Sequence, residues 1–300
     1  MALHAWTSAR WTVPLPEGHR FPIAKYARLR DRVLAEALVP PERLHEPARV
    51  SREDLLLVHD AAYVGAVESG TLGVAELRRI GFPWSSALVE RSMRAVGGTC
   101  EAAAAALEHG VAVNLAGGTH HAFPSHGEGF CVFNDVAVAL RALQRTHRID
   151  RAAVIDLDVH QGNGTHAIFA GDDSAFTFSM HGRHNFPFRK VPGSLDVELD
   201  DGTADELYLD VLALQLPRVL AAARPDLVVY LAGADPHEGD TLGRLGLTFD
   251  GLARRDAMVL SACREIGAPL CITIAGGYGA KLDDTVQVHV NTVRVAASYA

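Results

Sequence analysis

The stretch AVIDLDVHQGNG, residues 153–164, runs from an apolar segment directly into a group of polar residues and glycines. Its first part, residues 153–157, is short and largely apolar, which is typical of a strand buried on both faces. In an extended chain alternate side chains point to the same face, so Asp156, Asp158 and His160 point in one direction. The stretch therefore predicts a buried strand whose carboxyl end presents a cluster of polar groups.

The same succession of an apolar run and a polar or glycine-rich segment occurs five times. The predicted strands cover residues 111–116, 153–157, 175–180, 227–232 and 270–275. The predicted helices cover residues 23–38, 86–109, 135–147, 204–223, 249–266 and 283–299. This alternation predicts an α/β fold, a single domain over residues 1–300 with a central parallel β-sheet and helices on both faces. Ligands of such sheets bind outside the carboxyl ends of the strands, so we expect the active site there.

Composition excludes several classes of protein. The chain has 300 residues, 48% of them hydrophobic, and a formal net charge of −8. That charge disfavours nucleic acid as a partner and favours a cationic ligand such as a lysine side chain or a polyamine. The longest apolar runs, such as residues 227–234, are too short to span a membrane. The four cysteines are widely spaced and the N-terminal residues lack the apolar segment of a signal peptide, so we expect a cytoplasmic protein.

Asp158, His160 and Asp235 are the candidate metal ligands. Asp158 and His160 follow one predicted strand and Asp235 follows another, so the three side chains would meet at one edge of the sheet. Two carboxylates and one imidazole leave the fourth position of a tetrahedral zinc ion open to water, which is typical of a catalytic site. Such residues also serve as helix caps or turn residues, but burying Asp156 beside Asp158 without a cation would be costly. A zinc-bound water has a pKa near ~7, so this site indicates a hydrolase.

Other side chains in the predicted loops have two interpretations each. His120 and His121 follow two glycines, and a turn there would bring both to one site, one staying cationic and the other acting as a base. They could instead be paired metal ligands or surface histidines. Tyr278 also follows two glycines. Either its hydroxyl donates to an oxyanion, or its ring only packs against its neighbours. Phe130 and Phe186 are either half-buried core residues or the walls of a slot for an extended methylene chain.

Seven motifs stand in order along the chain: SREDL (51–55), VHDAAY (58–63), GGTHH (117–121), GFCVFND (129–135), DLDVHQGNG (156–164), GAD (233–235) and GGY (276–278). Together they resemble the zinc-dependent histone deacetylase family, which has the arginase–deacetylase fold, from about Pro16 onward. Gln161, Asn163 and the sequence LDVEL at residues 195–199 make class IV histone deacetylases the most similar branch. The D-x-D-x-H order differs from the D-x-H-x-D run with which arginase-like enzymes hold two manganese ions, so the resemblance implies a single metal.

The resemblance implies a role for each polar residue of the site. The implied ligands of Zn²⁺ are Asp158, His160 and Asp235, a set that would also accept Fe²⁺ in the cell. His121 would be the general base and then the acid for the leaving amine, and His120 would assist electrostatically. Tyr278 would polarise the acyl carbonyl. Asp156 would orient His120, and Asn163 would orient His121. Since Asn163 is neutral where class I members carry aspartate, His121 should lose its proton more readily.

The resemblance also implies a tunnel for the acyl-lysine side chain. The residues implied to line it are Gly129, Phe130 and Phe186, with Leu242 near its floor or its mouth. The implied neighbourhood of a K⁺ ion consists of Asp156, Ser179 and Met180. The sequence departs from the family twice at the rim of the tunnel: residues 187–190 lack the usual Pro-Gly-Thr-Gly run, and residues 78–86 offer no aspartate to hold a peptide backbone.

The predicted reaction is removal of an acyl group from N-ε-acyl-lysine, in a protein or peptide, by zinc-activated water. The alternative substrate is an acetylpolyamine or another small acylated amine. The candidate residues of an acidic entrance for such a cation are Glu128, His237 and Glu238. A third hypothesis is a protein that binds acyl-lysine without cleaving it, but a binder needs neither the base His121 nor the oxyanion donor Tyr278.

Overall fold

The computed structural model describes residues 3–300, whose central feature is one eight-stranded sheet. Its strands are β1 (His4–Trp6), β2 (Leu44–His45), β3 (Val111–Asn114), β4 (Ala152–Asp156), β5 (Ala175–Gly182), β6 (Leu195–Leu199), β7 (Leu227–Leu231) and β8 (Leu270–Thr273). Neighbouring strands are all parallel, in the order β2-β1-β3-β8-β7-β4-β5-β6. The first two residues of the predicted domain lie outside the described residues.

Helices cover both faces of this sheet. The α-helices within residues 3–300 are α1 (Lys25–Ala35), α2 (Arg52–Leu55), α3 (Ala61–Ser69), α4 (Val74–Ile80), α5 (Ser86–His109), α6 (Asp135–Arg145), α7 (Asn163–Ile168), α8 (Asp205–Ala223), α9 (Phe249–Glu265) and α10 (Leu282–Tyr299). Ala153 and Ile155 of β4 pack into the core that includes α1, α8, α9 and α10. Ala152 and Val154 pack on the opposite side, with α3, α5 and α6. In the described part of the chain, no helix combines the length and apolar character needed to cross a membrane.

The predicted α/β architecture is confirmed, and the differences lie at the ends and edges of the sheet. Helix α5 has the predicted limits, whereas the strands predicted at 111–116 and 270–275 each end two residues earlier. The sequence patterns missed β1, β2 and β6, as well as the short helices α2, α3, α4 and α7. Strands of two or three residues are too short to show a period, and β6 lacks an apolar run because four of its five residues are at least partly exposed.

Helix α6 fixes the loop that carries the two adjacent histidines. Asn134 caps the helix through its side chain, and the buried Asp135 carboxylate accepts hydrogen bonds from the backbone N–H groups of Gly118 (2.9 Å) and Thr119 (2.7 Å). Gly118 has a φ of 72°, and a Cβ at this position would collide with Ala275 in the loop after β8. The loops that follow β3 and β8 are therefore held against each other at the carboxyl end of the sheet.

Candidate active site

The three predicted metal ligands lie together at the carboxyl end of the sheet. Asp158 and His160 follow β4, and Asp235 follows β7, which is the neighbour of β4 in the sheet. One ligand atom from each residue lies within 4.8 Å of the ligand atoms of the other two, and all three residues are buried. The structure thus brings together on adjacent strands three side chains that are up to 77 positions apart in the chain.

The backbone holds both carboxylates in place. Oδ2 of Asp158 accepts a hydrogen bond from the N–H of Gly276 at 2.8 Å, and Oδ1 of Asp235 accepts one from the N–H of Val159 at 2.9 Å. Nδ1 of His160 lies 2.9 Å from Oδ1 of Asp158 and 3.3 Å from Oδ2 of Asp235. A Cβ at Gly276 would collide with both carboxylates, so only glycine lets the loop after β8 pass this close.

The donor set fits a divalent cation. Oδ2 of Asp235 is buried and, although Nδ1 of His160 lies 3.3 Å away, makes no well-formed hydrogen bond in the described part of the chain, which leaves a poorly satisfied acceptor. Burial, followed by the charge of the nearby Asp158, raises the pKa of Asp235 to about 7. Two buried carboxylates at this distance repel each other, and a cation between them removes both the repulsion and the unsatisfied oxygen. Two hard oxygens and one imidazole nitrogen suit Zn²⁺ or Fe²⁺.

The two adjacent histidines have different partners and different charge states. Nδ1 of His120 lies 2.6 Å from Oδ2 of Asp156, and Nδ1 of His121 lies 2.7 Å from Oδ1 of Asn163. Burial lowers the pKa of His120, but the carboxylates of Asp156 and Asp158 outweigh it and raise the pKa to about 9. Burial, together with the charges of neighbouring histidines, lowers the pKa of His121 well below 6.5. One imidazole is therefore cationic and the other neutral, the separation that acid–base chemistry needs.

Tyr278 lies beside the ligands with its hydroxyl protonated. Its ring is 6.3 Å from that of His160 in an edge-on arrangement. Burial and the carboxylates of Asp235 and Asp158 raise the pKa of Tyr278 well above 10, so the phenol stays a hydrogen-bond donor. Behind it, the buried amine of Lys25 donates to the carbonyl of Ala275 at 3.2 Å and fixes the loop.

A cavity of about 800 Å³ leads from the surface to these residues. We call Asp158, His160, Asp235, His121 and Tyr278 the floor. The walls include Phe130, 5.7 Å from the Tyr278 ring, and Phe186, 4.9 Å from the His121 ring. Gly129 also lines the cavity, and a Cβ there would collide with His121 and Phe186.

The outer part of the cavity is exposed. We call it the mouth, and its residues are Arg20, Arg78, Arg79, His184, Phe188, Thr241, Leu242 and Arg244. Leu242 was predicted near either the floor or the mouth of the tunnel. It is half-buried and lines only the outer cavity, not the deeper pocket around Asp158 and Gly276. The structure therefore assigns it to the mouth.

Comparison with known proteins identifies the family of the chain. Residues 19–293 match the sequence family described as "Histone deacetylase domain". The chain belongs to the histone deacetylase family. An uncharacterized protein of Picosynechococcus sp. is 47% identical, over 93% of this chain and 93% of its own length. Histone deacetylase 2 of Arabidopsis thaliana is 33% identical, over 87% of this chain and 70% of its own length.

The fold agrees with that assignment. A crystal structure described as an HDAC homolog complexed with SAHA matches with a TM-score of 0.85 and 25% identity, covering 98% of this chain and 83% of that one. The predicted resemblance and fold class are thereby confirmed, and this histone deacetylase family protein is a hydrolase of the amidohydrolase type.

Two residues that sequence reasoning missed support the floor from below. The fully buried guanidinium of Arg255 donates to the carbonyls of Leu157 (3.2 Å) and Gly233 (2.7 Å), and it pairs with Asp256. Leu157 immediately precedes the ligand Asp158, and Gly233 lies two positions before Asp235. A guanidinium that bridges these carbonyls ties together the two strand ends that carry the ligands. The available signal was an adjacent Arg–Asp pair on the apolar face of a predicted helix.

The residues suggested for an acidic entrance do not form one. Glu128 is half-buried on the cavity wall, where Oε1 accepts a 2.6 Å hydrogen bond from Nδ2 of Asn163. His237 is buried against Phe249 with ring centroids 4.4 Å apart, and Glu238 is exposed. Neither His237 nor Glu238 lines the cavity. Glu128 instead bonds to Asn163, which in turn bonds to His121, so Glu128 helps to orient His121 through Asn163.

Proposed function

We propose that this protein hydrolyses N-ε-acyl-lysine in a peptide or protein, with Zn²⁺ held by Asp158, His160 and Asp235. One observation carries the proposal: the converging ligand atoms lie with His121 and Tyr278 at the end of a cavity walled by aromatic rings. An acyl-lysine side chain is an apolar stem that ends in an amide, and it matches apolar walls that lead to a polar floor.

His121 supplies the acid–base function. Asn163 Oδ1 accepts from its Nδ1–H, so Nε2 is the basic nitrogen. Because burial lowers the pKa of His121, the imidazole is neutral and can take a proton from water. The same nitrogen then returns the proton to the leaving lysine amine.

Tyr278 and His120 stabilise the developing charge. Zn²⁺, when bound, polarises the acyl carbonyl and makes its water more acidic. The protonated phenol of Tyr278 donates to the acyl oxygen as the carbonyl carbon becomes tetrahedral, when this hydrogen bond is strongest. His120, kept cationic by Asp156, holds a fixed positive charge next to the reacting atoms.

A substrate panel tests the proposal. Zinc-loaded protein is assayed with lysine peptides acylated by acetyl to long fatty chains and with N-acetylspermidine, and the released amine and carboxylate are measured. We expect turnover of at least one acyl-lysine peptide and about one metal ion per chain. Turnover of N-acetylspermidine alone would favour the small-amine alternative, and binding of peptides without turnover would favour a non-catalytic reader.

We also propose a cytoplasmic location and a K⁺ ion beside the site. All four cysteines are free thiols, which suits a reducing compartment. Ser179 lies opposite Asp156 in the pairing of β4 with β5, and Met180 follows it, so the three residues are neighbours. Activity measured after dialysis into sodium and then potassium buffers tests the ion.

A further inference from the structure

The mouth has the opposite charge to the protein as a whole. The chain carries a formal net charge of −8. The charged side chains of the mouth, histidine aside, are Arg20, Arg78, Arg79 and Arg244. No residue of the mouth carries a carboxylate, and the only one among the residues that line the whole cavity is that of Glu128, whose oxygen is already bonded to Asn163. The net charge predicts a cationic ligand, but the local charge at the mouth predicts an anionic one.

Three of these arginines have no partner of their own. Arg20, Arg78 and Arg79 are exposed, and within residues 3–300 their guanidinium groups form neither ion pairs nor hydrogen bonds. Arg244 differs, because it pairs with Asp201 at 3.1 Å. Unpaired guanidinium groups at an opening retain their full charge and all their donors for an incoming carboxylate.

The backbone at Arg79 is held against the wall of the cavity. The N–H of Gly129 donates to the carbonyl of Arg79 at 3.1 Å, and the N–H of Phe130 donates to the carbonyl of Ile80 at 2.7 Å. The end of α4 is thereby bonded to the wall that the acyl-lysine stem would pass. Residues near the acyl-lysine in a bound chain would therefore meet Arg78 and Arg79.

The mouth also exposes an aromatic ring. Phe188 is 87% exposed, the largest fraction among the large hydrophobic side chains of the described residues, and its ring is 6.3 Å from that of Phe186. Such a ring offers apolar surface on which a polypeptide can pack, whereas a small hydrophilic amine would gain little from it.

We infer that the substrate is an acyl-lysine within an acidic polypeptide segment, with Asp or Glu close to the modified lysine in the sequence. This inference rests on the proposed function and names its substrate class. A polyamine or a lysine-rich segment would bring positive charge to three unpaired arginines and would be repelled. An acidic segment would place carboxylates against them while its backbone packs on Phe188.

Binding to the Tyr278→Phe holoenzyme tests the inference without turnover. Three fluorescent peptides share one acyl-lysine and carry Glu, Ser or Lys at the two positions on each side. We expect the Glu peptide to bind about tenfold more tightly than the Lys peptide at low salt, with most of the difference lost at ~0.5 M NaCl. Equal affinities, or tighter binding of the Lys peptide, would overturn the inference.

Variants of the mouth decide whether the arginines are responsible. Arg78→Glu/Arg79→Glu should reverse the order of the peptides, whereas Arg218→Glu, an exposed arginine on α8, should leave it unchanged. An unchanged preference in the double variant would also overturn the inference. If that variant is unstable, Arg78→Gln/Arg79→Gln is used in its place and should abolish the preference for the Glu peptide. A preference that persists in this variant would likewise overturn the inference.

Absence of turnover in the wild-type holoenzyme with the Ser peptide would instead contradict the proposed function. The peptide affinities would still report on the charge preference of the mouth.

Discussion

The floor and the mouth of one cavity differ in burial, in charge and in how firmly the fold holds their side chains. Asp158 and Asp235 are at most 1% exposed and are each held by backbone hydrogen bonds, whereas Phe188 is 87% exposed. Arg78 and Arg79 of the mouth are exposed, and within residues 3–300 their guanidinium groups form no ion pair or hydrogen bond. The residues assigned to chemistry are therefore held in place by many contacts within the fold, whereas those assigned to recognition can be replaced without disturbing it.

The largest effect is expected at the floor. Asp158→Ala removes a ligand, so we expect loss of both metal and activity, with deacylation reduced by more than about 10⁴-fold. Elemental analysis and turnover of the preferred acyl-lysine peptide measure the two losses. Asp210→Ala, an exposed carboxylate on α8, should retain both. Full metal content together with normal turnover in Asp158→Ala would contradict the assignment of the floor.

Removing the acid–base group or the oxyanion donor should separate chemistry from metal binding. His121→Ala and Tyr278→Phe should each lower kcat by about 10²–10⁴-fold while metal stays near one ion per chain. Tyr299→Phe, a phenol remote from the floor, is the matched control. Normal turnover in either site variant would show that its proposed role is wrong.

Arg255 tests whether the floor depends on its buried support. Arg255→Met leaves the Asp256 carboxylate buried without its cation, so we expect the free energy of unfolding to fall by about 3–5 kcal/mol. Arg255→Met/Asp256→Asn removes the unpaired charge and should recover much of that stability. Because neither variant bridges Leu157 and Gly233, both should bind metal less tightly. Wild-type metal affinity and kcat in the double variant would show that Arg255 contributes only to the stability of the fold and not to the metal site.

Glu128 lies between the two regions and should have an intermediate effect. Glu128→Gln keeps an oxygen acceptor for Asn163 but removes the charge behind His121, so we expect kcat to fall by about two- to tenfold with KM nearly constant. Glu128→Ala, which removes the acceptor as well, should be more severe. A change confined to KM would place Glu128 in substrate binding only.

The smallest effect is expected at the mouth. Phe188→Ala should raise KM for a peptide about two- to fivefold and leave kcat and the unfolding temperature unchanged, because the ring contacts little of the folded protein. A free acyl-lysine amino acid, which has no flanking residues, should be used equally well by both proteins. A loss of kcat or stability would mean that the ring supports the walls.

Much of the fold and floor could be predicted from local sequence. The five apolar runs are long enough to identify buried strands, and the alternation in DLDVH places Asp158 and His160 on one side of the chain. Because parallel strands end at a common edge, the position of Asp235 after another run was enough to predict that it would join them. The edge strands β1 and β2 could not be predicted, since segments of two or three residues carry no period.

The sequence alone therefore determined the architecture and which candidate residues meet at the carboxyl end of the sheet, because both depend on local periodicity and on residues at the ends of strands. Only the tertiary structure decided what supports the floor and what faces the substrate. Arg255 comes from a distant helix, and Arg20 lies more than fifty positions from Arg78. A net charge of −8 sums over the whole surface, whereas a substrate meets only the few side chains that folding gathers at the mouth.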